Sequence, residues 1–126
     1  MEAARSATAY GCSKGNTVTQ ADAIQAYVQA ELKGKETWVA LPEEAWPDSW
    51  YDQHGNHKYH RPVVRMLKAL YGHPDAGTFW EDHCDAALRK GGFLPVDKWP
   101  SNYYNYELEQ YLIVYVDDFL MAGPEN

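Results

Sequence analysis

Apolar positions along this chain come in short runs broken by Gly, Pro and acidic residues, and each run predicts one element. Residues 2–10 are Ala-rich, and Gly11 closes them as a helix of barely two turns, too short to stand without packing. Residues 1–16 therefore read as the end of a longer helix and a linker. Residues 17–22 alternate with period two from a β-branched start and predict a strand, while residues 23–32 are helix formers that stop at Gly34. Residues 37–41 predict a short strand closed by Pro42, followed by an exposed acidic loop over residues 43–48. Residues 50–53 and 57–60 flank His54-Gly55-Asn56, which suits a hairpin turn, and residues 63–67 predict a further strand.

The strongest helical signal covers residues 75–90, where Phe79, Trp80, Cys84, Ala87 and Leu88 fall on one face. Asp75 is placed to cap this helix, Arg89 and Lys90 suit its C-terminal dipole, and Gly91-Gly92 end it. Residues 102–106 predict a strand, 107–109 a turn, and 110–122 two apolar runs separated only by Asp117-Asp118. The expected fold class is α+β: an antiparallel sheet with the Asp22 strand and the Asp117-Asp118 hairpin at its centre, and helices packed on one face.

Composition narrows the function classes. A chain of 126 residues, 45% hydrophobic and 14% aromatic, suits one small globular domain. Its 11 basic residues against 18 acidic ones, net charge −7, argue against a free-standing basic clamp for nucleic acid. The final block, residues 95–126, holds one basic and six acidic groups around an apolar strand pattern, so chemistry is expected there. Cys12 and Cys84 form neither a Cys-x-x-Cys pair nor a disulfide framework, which points to reduced thiols in an intracellular compartment, cytoplasmic or nuclear. No apolar run approaches the roughly 20 residues of a membrane span, so no membrane partner is expected.

Two adjacent carboxylates between apolar strands run against hairpin chemistry, which favours Asn-Gly or Asp-Gly. They repel by about 4 kcal/mol at about 4 Å and an effective dielectric near 20, and a divalent cation removes that penalty. Mg²⁺ needs only a few protein carboxylates, keeps several waters and takes remaining oxygens from substrate phosphates. Asp22, ending another strand, supplies a third carboxylate, and it meets Asp117 only if the two strands are neighbours in one sheet. The plain alternative is a solvated turn with both acids in water.

Tyr115-Val116-Asp117-Asp118 in a hairpin, Gln20-x-Asp22-x-x-x-Ala26-Tyr27 upstream and Leu70-Tyr71-Gly72 between them resemble, in order and spacing, reverse transcriptases of the Ty1/copia retrotransposon class. The resemblance covers residues 17–123, leaving 124–126 as a tail. It implies a polymerase palm from a transposable-element polyprotein, an RNA-directed DNA polymerase moving nucleotides from dNTPs to a primer 3′-hydroxyl on a primed RNA or DNA template. It implies two Mg²⁺ (or Mn²⁺) ions on the catalytic Asp22 and Asp117, with Asp118 in a supporting role. It further implies that the amides after Asp22, beginning at Ala23, cradle the triphosphate. Tyr27 would gate the sugar against a ribose 2′-hydroxyl, and Tyr115 and Val116 would lie near the primer end. Basic fingers, a thumb and nuclease segments of the parent polyprotein would be its partners, and the palm alone is expected to be incomplete and not to polymerise processively.

The stretch after Gly72 departs from that pattern. Family members usually read Leu-Lys-Gln-Ala-Pro-Arg-x-Trp there, whereas this chain has His73-Pro-Asp-Ala-Gly-Thr-Phe-Trp80. Length, Ala76 and Trp80 are kept; Pro74, Asp75 and Thr78 replace the Lys, Gln and Arg, and Ile24 stands where a Lys is usual. Two alternatives stay open: a non-catalytic relic or interaction module of such a polyprotein, and another palm-like metal enzyme such as a nucleotidyl cyclase. Elsewhere, His54, His57 and His60 are three apart, which on a strand turns them to opposite faces and does not match zinc spacing. Trp38, Trp46, Trp50, Tyr51 and Tyr59 suit either a base-stacking platform or the packing of a small core.

Overall fold

The two apolar runs near the C-terminus become the middle of the sheet. In the computed structural model, which describes residues 2–125, the elements in chain order are α1 (Glu2–Gly11), β1 (Asn16–Asp22), α2 (Ala26–Gln29), β2 (Trp38–Ala40), β3 (Val63–Arg65), α3 (Ala76–Lys90), β4 (Leu94–Pro95), β5 (Asn102–Asn105), β6 (Gln110–Tyr115) and β7 (Asp118–Pro124). Five strands form one antiparallel sheet in the order β1-β7-β6-β5-β4, and β2 pairs with β3 in a separate ladder. The protein is therefore a mixed α+β structure, as its patterning predicts, but the Asp22 strand β1 lies at the edge of the sheet and not at its centre as expected. The β5–β6 turn is held by Asn105, whose buried side chain accepts from the amides of Glu107 and Leu108 and donates to the Gly91 carbonyl.

The helices lie on both faces of the sheet, not on one as expected. Tyr10 of α1 meets Tyr104 edge-on, and Gly11 lies so close to Val18 that a Cβ would fall 2.1 Å from its methyl. Val18, Ala122, Tyr111 and Tyr104 are successive cross-strand partners, so they share the face that α1 covers. Trp80 and Cys84 of α3 pack with Val114 and Phe119, also a cross-strand pair but on the opposite face. The sequence carries the physical reason: residues 111–116 are a continuous apolar run rather than an alternation, and such a strand needs cover on both sides.

Four local expectations also change. Residues 23–32 give only the single turn of α2, because Gln25 before it sits at φ 53°, ψ 45° and Ala30 after it is extended. The later residues pair instead with 67–69: the Ala69 amide donates to Ala30 and the Leu32 amide to Leu67. Asp75 precedes α3, but its carboxylate makes no capping bond; the His73 Nδ1 accepts the Asp75 amide instead. Ala87, expected on the buried face of α3, is exposed, whereas Trp80 and Cys84 are buried. The expected hairpin at residues 50–60 reduces to a Tyr51–His57 bridge, closed by Asp52, which accepts from the His54 and Asn56 amides. The Asn56 amide and side chain, followed by the His54 amide, hold the Asp52 carboxyl below its ordinary range through these hydrogen bonds.

The core is thin. Its buried apolar residues are mostly alanines, joined by Trp80, Cys84, Tyr103 and Leu112. The accessible surface is 9387 Å², against about 6,800 Å² expected for a compact chain of this mass.

Candidate active site

The β1–β7 ladder decides where the three aspartates stand. Seven consecutive pairs run from Asn16↔Pro124 to Asp22↔Asp118, so the strand ending in Asp22 is the direct neighbour of the strand beginning with Asp118. Directly opposed residues of an antiparallel pair point to the same face with Cβ atoms about 5 Å apart. Tyr115 lies opposite Asp118 across β6–β7 and shares that face. The two-residue loop of this hairpin is Val116-Asp117, not Asp117-Asp118 as the sequence suggests, because Asp118 is already paired within β7. Val116 takes φ 57°, a left-handed conformation that β-branched residues rarely adopt.

Two hydrogen bonds fix the loop's carbonyls. The Ala23 amide donates to the Asp117 carbonyl at 2.7 Å, and the Trp80 indole N–H donates to the Val116 carbonyl at 2.5 Å. The first of these joins the ends of β1 and the hairpin through the Ala23 amide, one of the amides expected to cradle a triphosphate. Beside the loop opens a groove of about 680 Å³, within the range of small-molecule sites. Asp22, Ala23, Tyr27, Val116 and Asp117 line it, with Leu70 and Tyr71; Asp118 does not.

All three aspartates are exposed. The three ion pairs among the described residues, Glu43–His57, Glu36–Arg65 and Asp85–Arg89, leave them uninvolved. The donor chemistry, hard carboxylate oxygens of Asp22 and Asp117 in an otherwise mostly apolar groove, fits Mg²⁺ or Mn²⁺. The side chains are not drawn into a closed cage: among the described residues no group of three or more His, Cys, Asp or Glu is gathered as metal ligands. Of the histidines at 54, 57 and 60, His57 belongs to an aromatic cluster with Trp46 and Tyr51, its ring centroid 4.8 Å from that of Trp46.

Tyr27 is half-buried, packs against both small core clusters and meets Tyr71 edge-on with ring centroids 5.8 Å apart. It thus serves packing and the groove at once. Tyr71, 83% exposed, is a groove residue to which the sequence reading gives no role, although Leu70-Tyr71-Gly72 is in view there. Trp80 is the other omission, since its helical spacing assigns it to a buried stripe and says nothing of its N–H. Tyr115 is 75% exposed and does not line the groove.

Behind the loop, α3 is tied to the sheet by a polar ladder. Asp85 accepts from Arg89 Nε at 2.7 Å and from the Tyr103 hydroxyl at 3.0 Å. The Arg89 hydrogen bond, followed by that of Tyr103, holds the Asp85 carboxyl low. Burial, followed by the bond to Asp85, pushes the Tyr103 phenol up to about 12. Burial also pushes up the thiol of Cys84, which is free, as is the exposed Cys12. No helix among the described residues is long and apolar enough to cross a membrane. No protein-family model, curated protein or solved structure matches the chain.

Proposed function

We propose that this chain is the palm segment of a reverse transcriptase of the copia class, with Asp22 and Asp117 as the metal-holding pair and Asp118 in support. One observation carries the reading: the antiparallel register of β1 and β7 brings residues from the two ends of the sequence to one loop and one groove. The division of the carboxylates within that groove, Asp22 and Asp117 lining it and Asp118 outside, supports the same assignment of roles.

Asp22 and Asp117 would hold two Mg²⁺ or Mn²⁺ ions, which would supply activation of a primer 3′-hydroxyl and neutralisation of the triphosphate and leaving pyrophosphate. The chain's own residues do the positioning. Asp22 and Asp117 present hard oxygens from adjacent backbone segments, and the open arrangement leaves room for water and phosphate oxygens. Tyr27, fixed by its core contacts and by Tyr71, lines the groove where a sugar would rest. Tyr115, exposed beside Asp118, faces the primer end of a template duplex.

The test is Mn²⁺ titration of the full chain followed by NMR. Broadening is expected first at the amides of residues 22–27 and 115–118, and Asp117→Asn is expected to weaken binding at least tenfold. An Asp117→Asn isotherm that matches the parent would remove the metal site, leaving the non-catalytic relic as the better reading. Binding of dNTP in the presence of Mn²⁺, lost on Asp22→Asn, tests the substrate class.

A further inference from the structure

We propose that Trp80 is a positioning residue for this site: its indole N–H, bound to the Val116 carbonyl, holds the hairpin loop in the left-handed conformation that sets Asp117 at the groove. The proposal deepens the metal-site reading above and rests on it for its functional consequence, although the conformational part stands alone.

Four observations converge on the loop. Val116 has φ 57°, and left-handed backbone at a β-branched residue is costly unless the surroundings impose it. Its own side chain does not impose it, being 44% exposed. The surroundings do so through backbone carbonyls: Val116 O is bound to Trp80 on one side of the loop, and Asp117 O is bound to the Ala23 amide on the other. Two successive peptide groups are therefore pinned to different elements, α3 and β1, and the loop has no freedom to relax.

Trp80 is suited to the task because it cannot move. It is 4% exposed, packed with Ala26 and Cys84 and flanked by Tyr27, Val114 and Phe119. An indole N–H is a donor only, and burial without a partner would cost it a hydrogen bond, so the ring and the carbonyl hold each other. A cavity of about 290 Å³ lined by Tyr27, Trp80, Tyr103, Val114 and Val116 lies behind the loop. The loop is therefore open on that side, and its restraint rests on the two carbonyl hydrogen bonds, of which Trp80 makes the one from α3.

The experiment compares the full chain with Trp80→Phe, which keeps an aromatic ring and deletes the donor. Three readouts are needed: the Val116 amide–Hα coupling and the exchange rate of the Trp80 indole proton, urea stability, and Mn²⁺ affinity. The parent chain is expected to show a slowly exchanging indole proton. Trp80→Phe is expected to shift the Val116 and Asp117 resonances and weaken Mn²⁺ binding about tenfold, which matches the roughly 1.4 kcal/mol scale of one hydrogen bond. Adding Val116→Gly to Trp80→Phe is expected to recover at least a third of the lost affinity, since Gly adopts the left-handed loop without strain.

An unchanged loop and unchanged affinity in a folded Trp80→Phe chain overturn the proposal. So does a loss of affinity that tracks global instability and is not recovered by Val116→Gly. If Trp80→Phe does not fold, replacing Trp80 by benzothienylalanine, an indole isostere with sulfur in place of N–H, gives the same three readouts at constant volume. Failure of the parent to bind Mn²⁺ would count against the metal-site reading alone; the coupling and exchange data would still decide whether Trp80 sets the loop.

Discussion

Asp118→Asn is the perturbation that most directly tests the arrangement of the strands. Asp118 is paired with Asp22 across the β1–β7 ladder, and both side chains point from the same face. With charges about 5 Å apart, the repulsion is about 0.8 kcal/mol in water and about 3 kcal/mol at an effective dielectric near 20. Both carboxylates are exposed, so the lower figure governs. Asn keeps the shape and removes one charge. In EDTA at low ionic strength, urea unfolding is expected to show Asp118→Asn more stable than the parent by about 0.5–1 kcal/mol. Screening should shrink the difference as salt is raised toward about 1 M, where the Debye length is about 3 Å.

Divalent ions should then reverse the order. A ligand at ten times its dissociation constant stabilises the folded state by about 1.4 kcal/mol, and a chain lacking one supporting carboxylate gains less. The two arms separate two claims. A variant no more stable than the parent in EDTA at low salt refutes the opposed placement of Asp22 and Asp118. A variant stabilised in EDTA but gaining as much from Mg²⁺ as the parent refutes the supporting role of Asp118 and leaves the register intact.

Other outcomes follow from the packing and from the polar ladder. A Cβ on Gly123 would lie 2.7 Å from the Glu109 carbonyl, so Gly123→Ala is expected to destabilise by about 1–3 kcal/mol. Nothing lies within 4 Å of the corresponding position at Gly77 in α3, so Gly77→Ala is expected to stabilise by about 0.5–1 kcal/mol; urea unfolding checks both. The Asp85 carboxyl is held low by Arg89, so its contribution is present above the unfolded value near 4 and lost as pH falls through its lower folded value. Acid unfolding should therefore flatten in Asp85→Asn. The Tyr103 phenol is raised to about 12, so its contribution is present below the unfolded value near 10 and lost as pH rises through about 12. Phenolate absorbance should lose one late-titrating group in Tyr103→Phe. His73 accepts the Asp75 amide at Nδ1, with Thr37 Oγ1 3.2 Å from Nε2, so nitrogen NMR is expected to find the neutral ring protonated at Nε2.

What the sequence made legible divides along physical lines. α3 and the β6–β7 hairpin were readable because each carries its own signal, a helical stripe ended by glycines and two apolar runs around acids. The pairing of β1 with β7 was readable only as a requirement of the chemistry, since period-two patterning does not say which strands are neighbours. α2 was overread because helix propensity in residues 23–32 competes with a tertiary demand: Ala30 and Leu32 exchange hydrogen bonds with the chain at 67–69. The Asp117-Asp118 turn was displaced by one residue because the ladder continues to the Tyr115–Asp118 pair, which overrides the local preference that would keep Val116 out of the left-handed region. Trp80 was assigned to packing because a hydrophobic stripe counts rings and ignores donors.

Apolar periodicity reports a face that wants cover, and it does not report whether this chain provides it. Ile24 and Tyr71, 80% and 83% exposed, fit the same apolar logic as Trp80, and the surface exceeds that of a compact chain by about 2,500 Å². A core of alanines cannot by itself fix the relative position of distant segments, so the placement of the aspartates must come from directional bonds. Seven cross-strand pairs set the register, and a slip of one residue would turn Asp22 to the face opposite Asp118. The Ala23 and Trp80 hydrogen bonds then fix the loop at the end of that register. The candidate chemistry consequently depends more on the ladder and its two end clamps than on burial. Substitutions that thin the core should cost stability before they cost the geometry of the groove, whereas a break at Ala23 or Trp80 should do the reverse.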